Sequence, residues 1–212
     1  ITECHNRGFE FHAWMNPYRV NSNSSYIGED YPEGHPCNDP SQLLTSSSGT
    51  QILDPGSTKV QKFIVDTCME FLDRYDADAI HFDDYFYISG VATDISGDQK
   101  RANVDSFIKK LSDSIHEMNE REGRAVQLGI SPSGIYRNTG YAASPSYDSN
   151  GSLISPVGSN TSGFAHYDDY LYSDTKKWID NEWIDYITPQ TYWGMEHTGA
   201  NFYELSRWWS WC

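Results

Sequence analysis

The feature that most constrains the fold is a regular alternation of strand and helix patterns along the chain. Four segments have the apolar and aromatic character of strands, at 8–20, 76–87, 124–138 and 183–193. Segments with helical character follow them, at 58–74, 104–118, 173–181 and 201–212. A chain that alternates in this way builds a parallel sheet, because each helix returns the chain to the edge where the next strand starts.

The loops are long after the predicted strands and short before them. The segments 21–56, 89–102 and 139–166 are loops rich in residues such as Gly, Ser, Asn and Asp. This asymmetry is typical of a (β/α)8 barrel, whose functional sites lie on the loops after the strands. We therefore predict an α/β fold of the TIM-barrel type, in which about four βα units form a partial barrel as the single domain of residues 1–212. A flavodoxin-like open sheet is the alternative, although no Gly-rich phosphate loop opens a helix.

Polar side chains occur near the carboxyl end of each predicted strand. They are His12, Asn16 and Arg19 on the first, His81, Asp83 and Asp84 on the second, Ser131, Ser133 and Arg137 on the third, and Gln190, Tyr192 and Glu196 on the fourth. Because the strands of a barrel end on the same face, we expect these side chains to converge there.

The first strand alternates between a polar face and an apolar face. The polar face, expected inside the barrel, comprises Glu10, His12, Trp14 and Asn16. The apolar face, expected to pack against helices, comprises Phe9, Phe11, Ala13 and Met15.

Two adjacent carboxylates, Asp83 and Asp84, follow the apolar start of the second strand. Like charges repel, and apolar surroundings make it costly to ionise both groups. Alternation places His81 and Asp83 on the same face. Carboxyl groups whose pKa values are pushed apart can divide acid and base roles, as glycoside hydrolysis requires. The pair therefore predicts a hydrolytic site, and an aspartate that caps a turn or pairs with an arginine is the structural alternative.

A metal centre is the main chemical alternative at this place. Residue types that hold divalent ions in barrel hydrolases are present on the first two strands: His12, His81, Asp83 and Asp84. The sequence lacks an H-x-H motif on the first strand and an H-E-x-x-H motif, so we predict neither a metal nor another cofactor. A serine nucleophile is disfavoured, because a proline follows Ser131 where a helix would have to begin.

Composition argues against several classes of partner. The net charge is −15 and no cluster of lysine and arginine is present, which disfavours nucleic acid and anionic membrane surfaces. No apolar run is long enough to span a bilayer. Aromatic residues make up 15 % of the chain, and rings with polar tips suit a cleft that binds sugars.

Five motifs, in order along the chain, resemble those of the glycosyl-hydrolase-like family ten of bacterial glycosidases. They are FHAWMNPYRV, LDPG, AIHFDDYFY, LGISPSGIYRN and WIDYITPQTYW. The resemblance implies a TIM barrel and a glycosidase that is exported and often a lipoprotein, so an extracytoplasmic location is expected. It also implies peptidoglycan glycan strands as substrate. On this resemblance the chain is a fragment that lacks both ends of the barrel, and its exposed strand edges favour a homo-oligomer.

The resemblance leaves the roles of individual residues open. An adjacent Asp pair at a strand end is similar to that of hexosaminidases that use substrate-assisted catalysis. There, one Asp orients the 2-acetamido group of the substrate, whose oxygen attacks the anomeric carbon, and the neighbouring Asp is the general acid. This similarity favours Asp84 as the acid and a supporting hydrogen bond from Tyr192. The alternative is a two-carboxylate mechanism with Glu196 or Glu10 as the partner.

Other side chains near the strand ends are candidates for contact with the glycan. We predict such contacts from His12, Trp14, Asn16, Arg19, His81, Tyr85, Arg137, Gln190, Tyr192 and Trp193. The two arginines suit the lactyl carboxylate of muramic acid, or else they pair with Asp83 or Asp84. His81 is expected as a partner of Asp83. A carbohydrate-binding protein without catalysis is the alternative function, because aromatic rings alone can bind sugars.

Overall fold

The computed structural model describes residues 1–21 and 31–212. Its α-helices are α1 (Thr2–His5), α2 (Thr58–Arg74), α3 (Gly97–Glu122), α4 (Thr175–Asp180) and α5 (Phe202–Trp209). Its strands are β1 (His12–Met15), β2 (Leu43–Thr45), β3 (Gln51–Leu53), β4 (Ala79–Asp83), β5 (Gln127–Ser131), β6 (Ser146–Tyr147), β7 (Leu153–Ile154) and β8 (Tyr186–Ile187). Two short 3-10 helices, Pro36–Asn38 and Pro40–Gln42, precede β2.

Four of the strands form a parallel sheet in the order β1–β4–β5–β8. Their spatial order follows their order in the chain, with α2, α3 and α4 in the successive connections. A flavodoxin-like sheet instead places its first strand between the second and the third, so that alternative is wrong. Sequential parallel strands joined by helices are the repeating unit of a (β/α)8 barrel, and the predicted α/β partial barrel is confirmed.

One face of the sheet packs against the helices in an apolar core. Ile80 and Phe82 of β4 and Ile130 of β5 are fully buried there, together with the apolar sides of α2 and α3. Helix α2 begins as the sequence predicts, because the Ser57 hydroxyl accepts a hydrogen bond of 3.2 Å from the N–H of Val60. The apolar layer fixes the sheet and leaves the opposite face to polar side chains.

The outer strands are shorter than the sequence suggests. β1 begins only at His12, and β8 is limited to Tyr186–Ile187. Each has a strand partner on one side only within the described part of the chain, so their ends are not held by a ladder on both edges. As a consequence Phe9, which was expected to pack against helices, is 66 % exposed.

The predicted loop 21–56 contains more regular structure than expected. Residues 22–30 of it lie outside the described residues, but β2 and β3 pair as an antiparallel hairpin. The N–H of Leu53 donates a hydrogen bond of 2.8 Å to the carbonyl of Tyr18, which attaches the hairpin to the segment after β1. The Ser-rich stretch that suggested a loop is the turn of this hairpin.

None of the helices in the described part of the chain has both the length and the apolar character required to cross a membrane.

Candidate active site

The two adjacent carboxylates lie where β4 leaves the sheet. Asp83 is the last residue of β4 and is paired in register with Ser131 of β5. Both carboxylates are buried, with 6 % of Asp83 and 1 % of Asp84 exposed. The apolar sequence around the pair therefore places two acidic groups where water is largely excluded.

Asp84 is held by the loop that follows β5. The backbone N–H of Ser133 donates a hydrogen bond of 2.6 Å to Oδ2 of Asp84. Burial raises the pKa of Asp84 to about 6, and the negative charge of Asp83 adds to the rise, although the bonds from Ser133 oppose it. A carboxyl group that holds its proton this well can donate it to a leaving group, as a general acid must.

His166 fixes the loop that holds Asp84, and sequence reasoning missed it. Its Nδ1 lies 2.9 Å from the carbonyl oxygen of Ser133, and its Nε2 lies 2.8 Å from the Thr175 hydroxyl. Burial lowers the pKa of His166 to about 3, so the imidazole is neutral. Nδ1–H therefore donates to Ser133, and Nε2 accepts from Thr175. A single histidine in the predicted loop 139–166 gave no signal of this role.

Asp83 has a different environment from its neighbour. Its Oδ1 accepts a hydrogen bond of 3.3 Å from the backbone N–H of Tyr85. Burial raises the pKa of Asp83, and the rise is opposed by this N–H and by the positive charge of Arg19. The guanidinium of Arg19 lies over the ring of Tyr85, with Cζ 5.3 Å from the ring centroid. Asp83 is thus the carboxylate of the pair with a cation in its surroundings.

A hydrogen-bonded chain crosses the inner face of the sheet, and we call it the histidine–tyrosine network. It comprises Glu10, His12, Tyr186, His81 and Ser131. The hydroxyl oxygen of Tyr186 lies 2.6 Å from Nδ1 of His12 and 2.9 Å from Nδ1 of His81. Nε2 of His12 lies 3.0 Å from the Glu10 carboxylate, and Nε2 of His81 lies 2.9 Å from the Ser131 hydroxyl. The network joins the starts of the outer strands β1 and β8 to β4 and β5.

With both imidazoles neutral, the protons of the network have one consistent arrangement. The Glu10 carboxylate only accepts, so His12 donates from Nε2 and accepts at Nδ1 from Tyr186. The Tyr186 oxygen then accepts from Nδ1–H of His81, whose Nε2 accepts from the Ser131 hydroxyl. Burial lowers the pKa of His81 and raises the pKa of Tyr186 to about 12. Both shifts favour the neutral forms that this arrangement needs.

Tyr186 reaches the two histidines because Gly129 leaves room for its ring. A Cβ on residue 129 would lie 1.9 Å from Cζ of Tyr186. Sequence reasoning treated Tyr186 as an ordinary strand residue and missed it. The available signal was the glycine in the middle of β5, since a glycine inside a strand indicates that another group approaches closely.

Several predicted residues do come together at the strand ends. The Gln190 side chain donates a hydrogen bond of 2.7 Å from Nε2 to the carbonyl of Ser131. Asn16 is half-buried, and its Oδ1 is a buried atom without a hydrogen-bond partner among the described residues. Trp14 is 63 % exposed. The end of β1 therefore presents the open aromatic ring of Trp14, whereas the unpaired acceptor of Asn16 is buried.

Other predicted residues are engaged elsewhere or stand apart. The Arg137 guanidinium pairs with Asp168, with Nε 3.1 Å from Oδ2, and neither it nor Arg19 pairs with the two adjacent carboxylates. Trp193 packs beside the small apolar core around α5. Tyr192 is 83 % exposed, and Glu196 is also exposed. Tyr192, Trp193 and Glu196 follow β8, which already ends at Ile187, whereas Arg137 lies on the loop after β5.

Two more expectations about this region are wrong. His81 does not bond to Asp83, because its two ring nitrogens are used by Tyr186 and Ser131. Glu10, expected to be buried within the first strand, lies before β1 begins and is exposed, although it is paired with His12 as described above.

In residues 1–21 and 31–212, no three His, Cys, Asp or Glu side chains are grouped so that they could hold a metal ion. The described part of the chain therefore gives the metal-dependent alternative no support.

The sequence profile of a family described as "Glycosyl hydrolase-like 10" matches residues 1–211. The chain belongs to this family. The family resemblance drawn from the five motifs is thereby confirmed, and membership supports a glycoside hydrolase-type function.

Two curated relatives of this glycosyl hydrolase-like 10 chain are named glycosyl hydrolases. The chain is 35 % identical to glycosyl hydrolase YngK of Bacillus subtilis over 228 residues, which cover 99 % of the chain and 41 % of YngK. It is 32 % identical to glycosyl hydrolase DigH of Escherichia coli K12 over 232 residues, which cover 99 % of the chain and 49 % of DigH. The chain thus spans less than half the length of these relatives.

Two solved structures have some similarity to this chain. One is Aspergillus fumigatus Ega3 in complex with galactosamine, at 17 % identity and a TM-score of 0.39, covering 63 % of this chain and 47 % of that one. Another is an alpha-galactosidase from Lactobacillus brevis, at 17 % identity and a TM-score of 0.39, covering 61 % of this chain and 17 % of that one.

Proposed function

We propose that the protein hydrolyses amino-sugar glycans of the bacterial cell wall, with Asp83 and Asp84 as its catalytic pair. The observation that carries the proposal is the burial of two adjacent carboxyl groups at the end of β4, one with a pKa raised to about 6. Membership in a glycosyl hydrolase-like family supports the class of reaction. Peptidoglycan lies outside the cytoplasm, so an extracytoplasmic location is part of the proposal.

In the proposed mechanism, Asp84 donates its proton to the glycosidic oxygen as the bond to the anomeric carbon breaks. The carbonyl oxygen of the 2-acetamido group attacks that carbon, and Asp83 accepts a hydrogen bond from the acetamido N–H. Asp84, now ionised, then takes a proton from the water that opens the cyclic intermediate. Burial raises the pKa of Asp83, and the Tyr85 N–H and the positive charge of Arg19 oppose this rise in favour of the ionised form that the role requires.

The test is a pair of conservative substitutions in the full-length protein, Asp83→Asn and Asp84→Asn. Each removes one titratable group while keeping its shape, so we expect each to lower kcat by at least about 100-fold, the usual contribution of a positioned acid or base. The measurement is turnover of peptidoglycan glycan strands stripped of peptides. Asp94→Asn is the matched control, because Asp94 is an exposed aspartate on the loop after β4.

Two further measurements separate this mechanism from its alternatives. A substrate that has a hydroxyl in place of the 2-acetamido group should not be cleaved if that group is the nucleophile; normal cleavage would favour a two-carboxylate mechanism. Near-wild-type turnover by either Asp variant would contradict the catalytic role proposed for that residue. Binding of a glycan by the wild-type protein without any cleavage would favour the carbohydrate-binding alternative.

Association through the outer strands stays a prediction. β1 and β8 are the outermost strands of the described sheet, and an unpaired strand edge can pair with a second copy. Light scattering on the chain of residues 1–212, which carries these two edges, measures its oligomeric state directly.

A further inference from the structure

A cavity of about 290 Å³ lies between the β2–β3 hairpin and the segment after β4. It is lined by Arg19, by the hydroxyl side chains of Ser46, Ser48 and Thr50, and by the rings of Tyr85 and Tyr170. Tyr85 directly follows Asp84, and its N–H bonds to Asp83. Tyr85 therefore connects the wall of the cavity to the proposed catalytic pair, although neither Asp83 nor Asp84 lines the cavity itself. Its volume is near the lower end of the range for small-molecule sites.

The walls of the cavity are held together by backbone contacts. The N–H of Ser47 donates a hydrogen bond of 2.9 Å to the carbonyl of Gly90, and Ser46 forms an isolated antiparallel bridge with Val91. Gly90 has a φ of +78°, and a Cβ there would lie 2.8 Å from the Ser47 hydroxyl. The hairpin and the segment after β4 thus approach at a point that favours glycine. This contact forms the cavity in advance of any ligand.

Arg19 is unusual among the cationic side chains of this protein. Every other lysine and arginine in residues 1–21 and 31–212 lies within ion-pair distance of a carboxylate or donates a side-chain hydrogen bond. The chain has 30 acidic residues against 15 basic ones, so partners are abundant. The exposed Arg19 guanidinium lies over the ring of Tyr85 instead, and its N–H groups are left for a ligand.

The rest of the lining suits a sugar ring. Ser46 and Ser48 have hydroxyl oxygens 2.9 Å apart, and Thr50 continues this row at 3.4 Å from Ser48. Such hydroxyls both donate and accept hydrogen bonds, as sugar hydroxyls require. Tyr85 and Tyr170 are each 39 % exposed, which leaves ring surface for the C–H groups of a sugar. A planar guanidinium with free donors adds a site that matches a carboxylate bidentately.

We infer that this cavity is a subsite for a sugar unit that carries a carboxylate, and that Arg19 recognises the carboxylate. The inference rests on the proposed function, because the cavity is connected through Tyr85 to the two carboxyl groups that would cleave the glycan. It adds a selectivity that the catalytic pair alone does not provide.

The test measures the binding of matched monosaccharides to the full-length protein by NMR titration. N-acetylmuramic acid and N-acetylglucosamine differ only in the lactyl group with its carboxylate. We expect the wild-type protein to prefer the acid by about tenfold or more, as a charge-assisted bond would give. Glucuronic acid against glucose asks whether a carboxylate on the ring itself is recognised as well; preference for either acid supports the subsite, and the pair that shows it identifies the source of the carboxylate.

Arg19→Gln should reduce the affinity for the preferred acid to that for its neutral partner and leave the neutral sugar unaffected. Arg19→Lys should retain part of the preference, because the charge stays while the fork is lost. Arg74→Gln is the control, because Arg74 lies on α2 and pairs with Glu70. Equal binding of acid and neutral sugar by the wild type, or an equal loss of both in Arg19→Gln, would overturn the inference.

The binding test needs no turnover, so it can fail separately from the proposed function. If the preference for acid is present and no glycan is cleaved, the subsite stands and the hydrolase proposal falls. If glycans are cleaved and the preference is absent, the hydrolase stands and the subsite falls.

Discussion

The carboxylate pair and the histidine–tyrosine network lie on the same sheet, yet they treat protons in opposite ways. In the network each ring nitrogen and the phenol has a partner that fixes which atom carries the proton. At the pair, Asp84 is almost completely buried, and bonds from Ser133 do not offset the cost of burying its charge. The first region holds its protons in place, whereas the second has a proton that it can release near neutral pH.

The difference between the two regions shows that burial alone does not make a titratable group functional. Tyr186 and His81 are partly covered, but their pKa shifts favour the neutral forms that they already have at neutral pH. The shift of Asp84 moves its pKa toward neutral pH, where a carboxyl group can both give and take a proton. Sequences are usually consistent with stability except at functional sites, and Asp84 is an exception of this kind.

Gly129→Ala should disrupt the histidine–tyrosine network and should have the largest effect on stability. The added Cβ would lie 1.9 Å from Cζ of Tyr186, so the ring must move and its bonds to both histidines are lost. We expect the free energy of unfolding to fall by about 3 kcal/mol, as for an overpacked core. Urea denaturation measures this change. In a Tyr186→Ala background the same glycine substitution should cost little, and an equal cost in both backgrounds would contradict the steric explanation.

Asp84→Asn removes the buried titratable group of the carboxylate pair and, in contrast to Gly129→Ala, should raise the stability of the protein. The carboxyl binds its proton more tightly in the folded protein, with a pKa of about 6 against 3.8 for an ordinary aspartate. Folding therefore takes up a proton between these pH values, and the contribution of Asp84 to stability falls as the pH rises from about 4 to 6. Above that window the wild-type protein carries the full cost, and the asparagine does not.

We expect Asp84→Asn to unfold with a free energy about 2 kcal/mol higher than wild type at pH 7.5, and with no such gain at pH 4. The Asn oxygen can still accept the hydrogen bond from Ser133. Thermal unfolding of both proteins across this pH range measures the difference, from which the titration of other groups cancels. A gain that is the same at both pH values would show that burial does not shift this carboxyl.

The central βα units could be predicted from the sequence because their patterns are local. The spacing of Val60, Ile64 and Cys68 predicts α2, and the apolar residues before Asp83 predict β4; both elements are present. The predicted outer strands are longer than the observed β1 and β8, because the length of a strand depends on its neighbours in space. Phe9 stands at the start of the segment predicted as a strand and is nevertheless exposed.

The site was predictable only where one residue type carries the chemistry on its own. Adjacent carboxylates at a strand end are visible in the sequence, so Asp83 and Asp84 were identified. Ser133 was noted as a polar residue, but its bond to Asp84 comes from its backbone N–H, which every residue except proline possesses. His166 and Tyr186 act through contacts with residues 33 and 105 positions away. Such contacts are set by topology: that of His166 leaves no local pattern, and that of Tyr186 is indicated only by the glycine at position 129.

Tyr186→Phe tests whether the network and the carboxylate pair are independent, and its expected effect on stability is the smallest of the three. It removes only the hydroxyl, so Gly129 still accommodates the ring, but the imidazoles of His12 and His81 each lose a partner. Because these groups are only partly buried, water can replace the hydroxyl, and we expect a loss of about 1 kcal/mol in the free energy of unfolding. The network is separate from the proton that Asp84 transfers, so the pH dependence of kcat should keep its shape. A displaced pH profile in this variant would show that the two regions exchange protons after all.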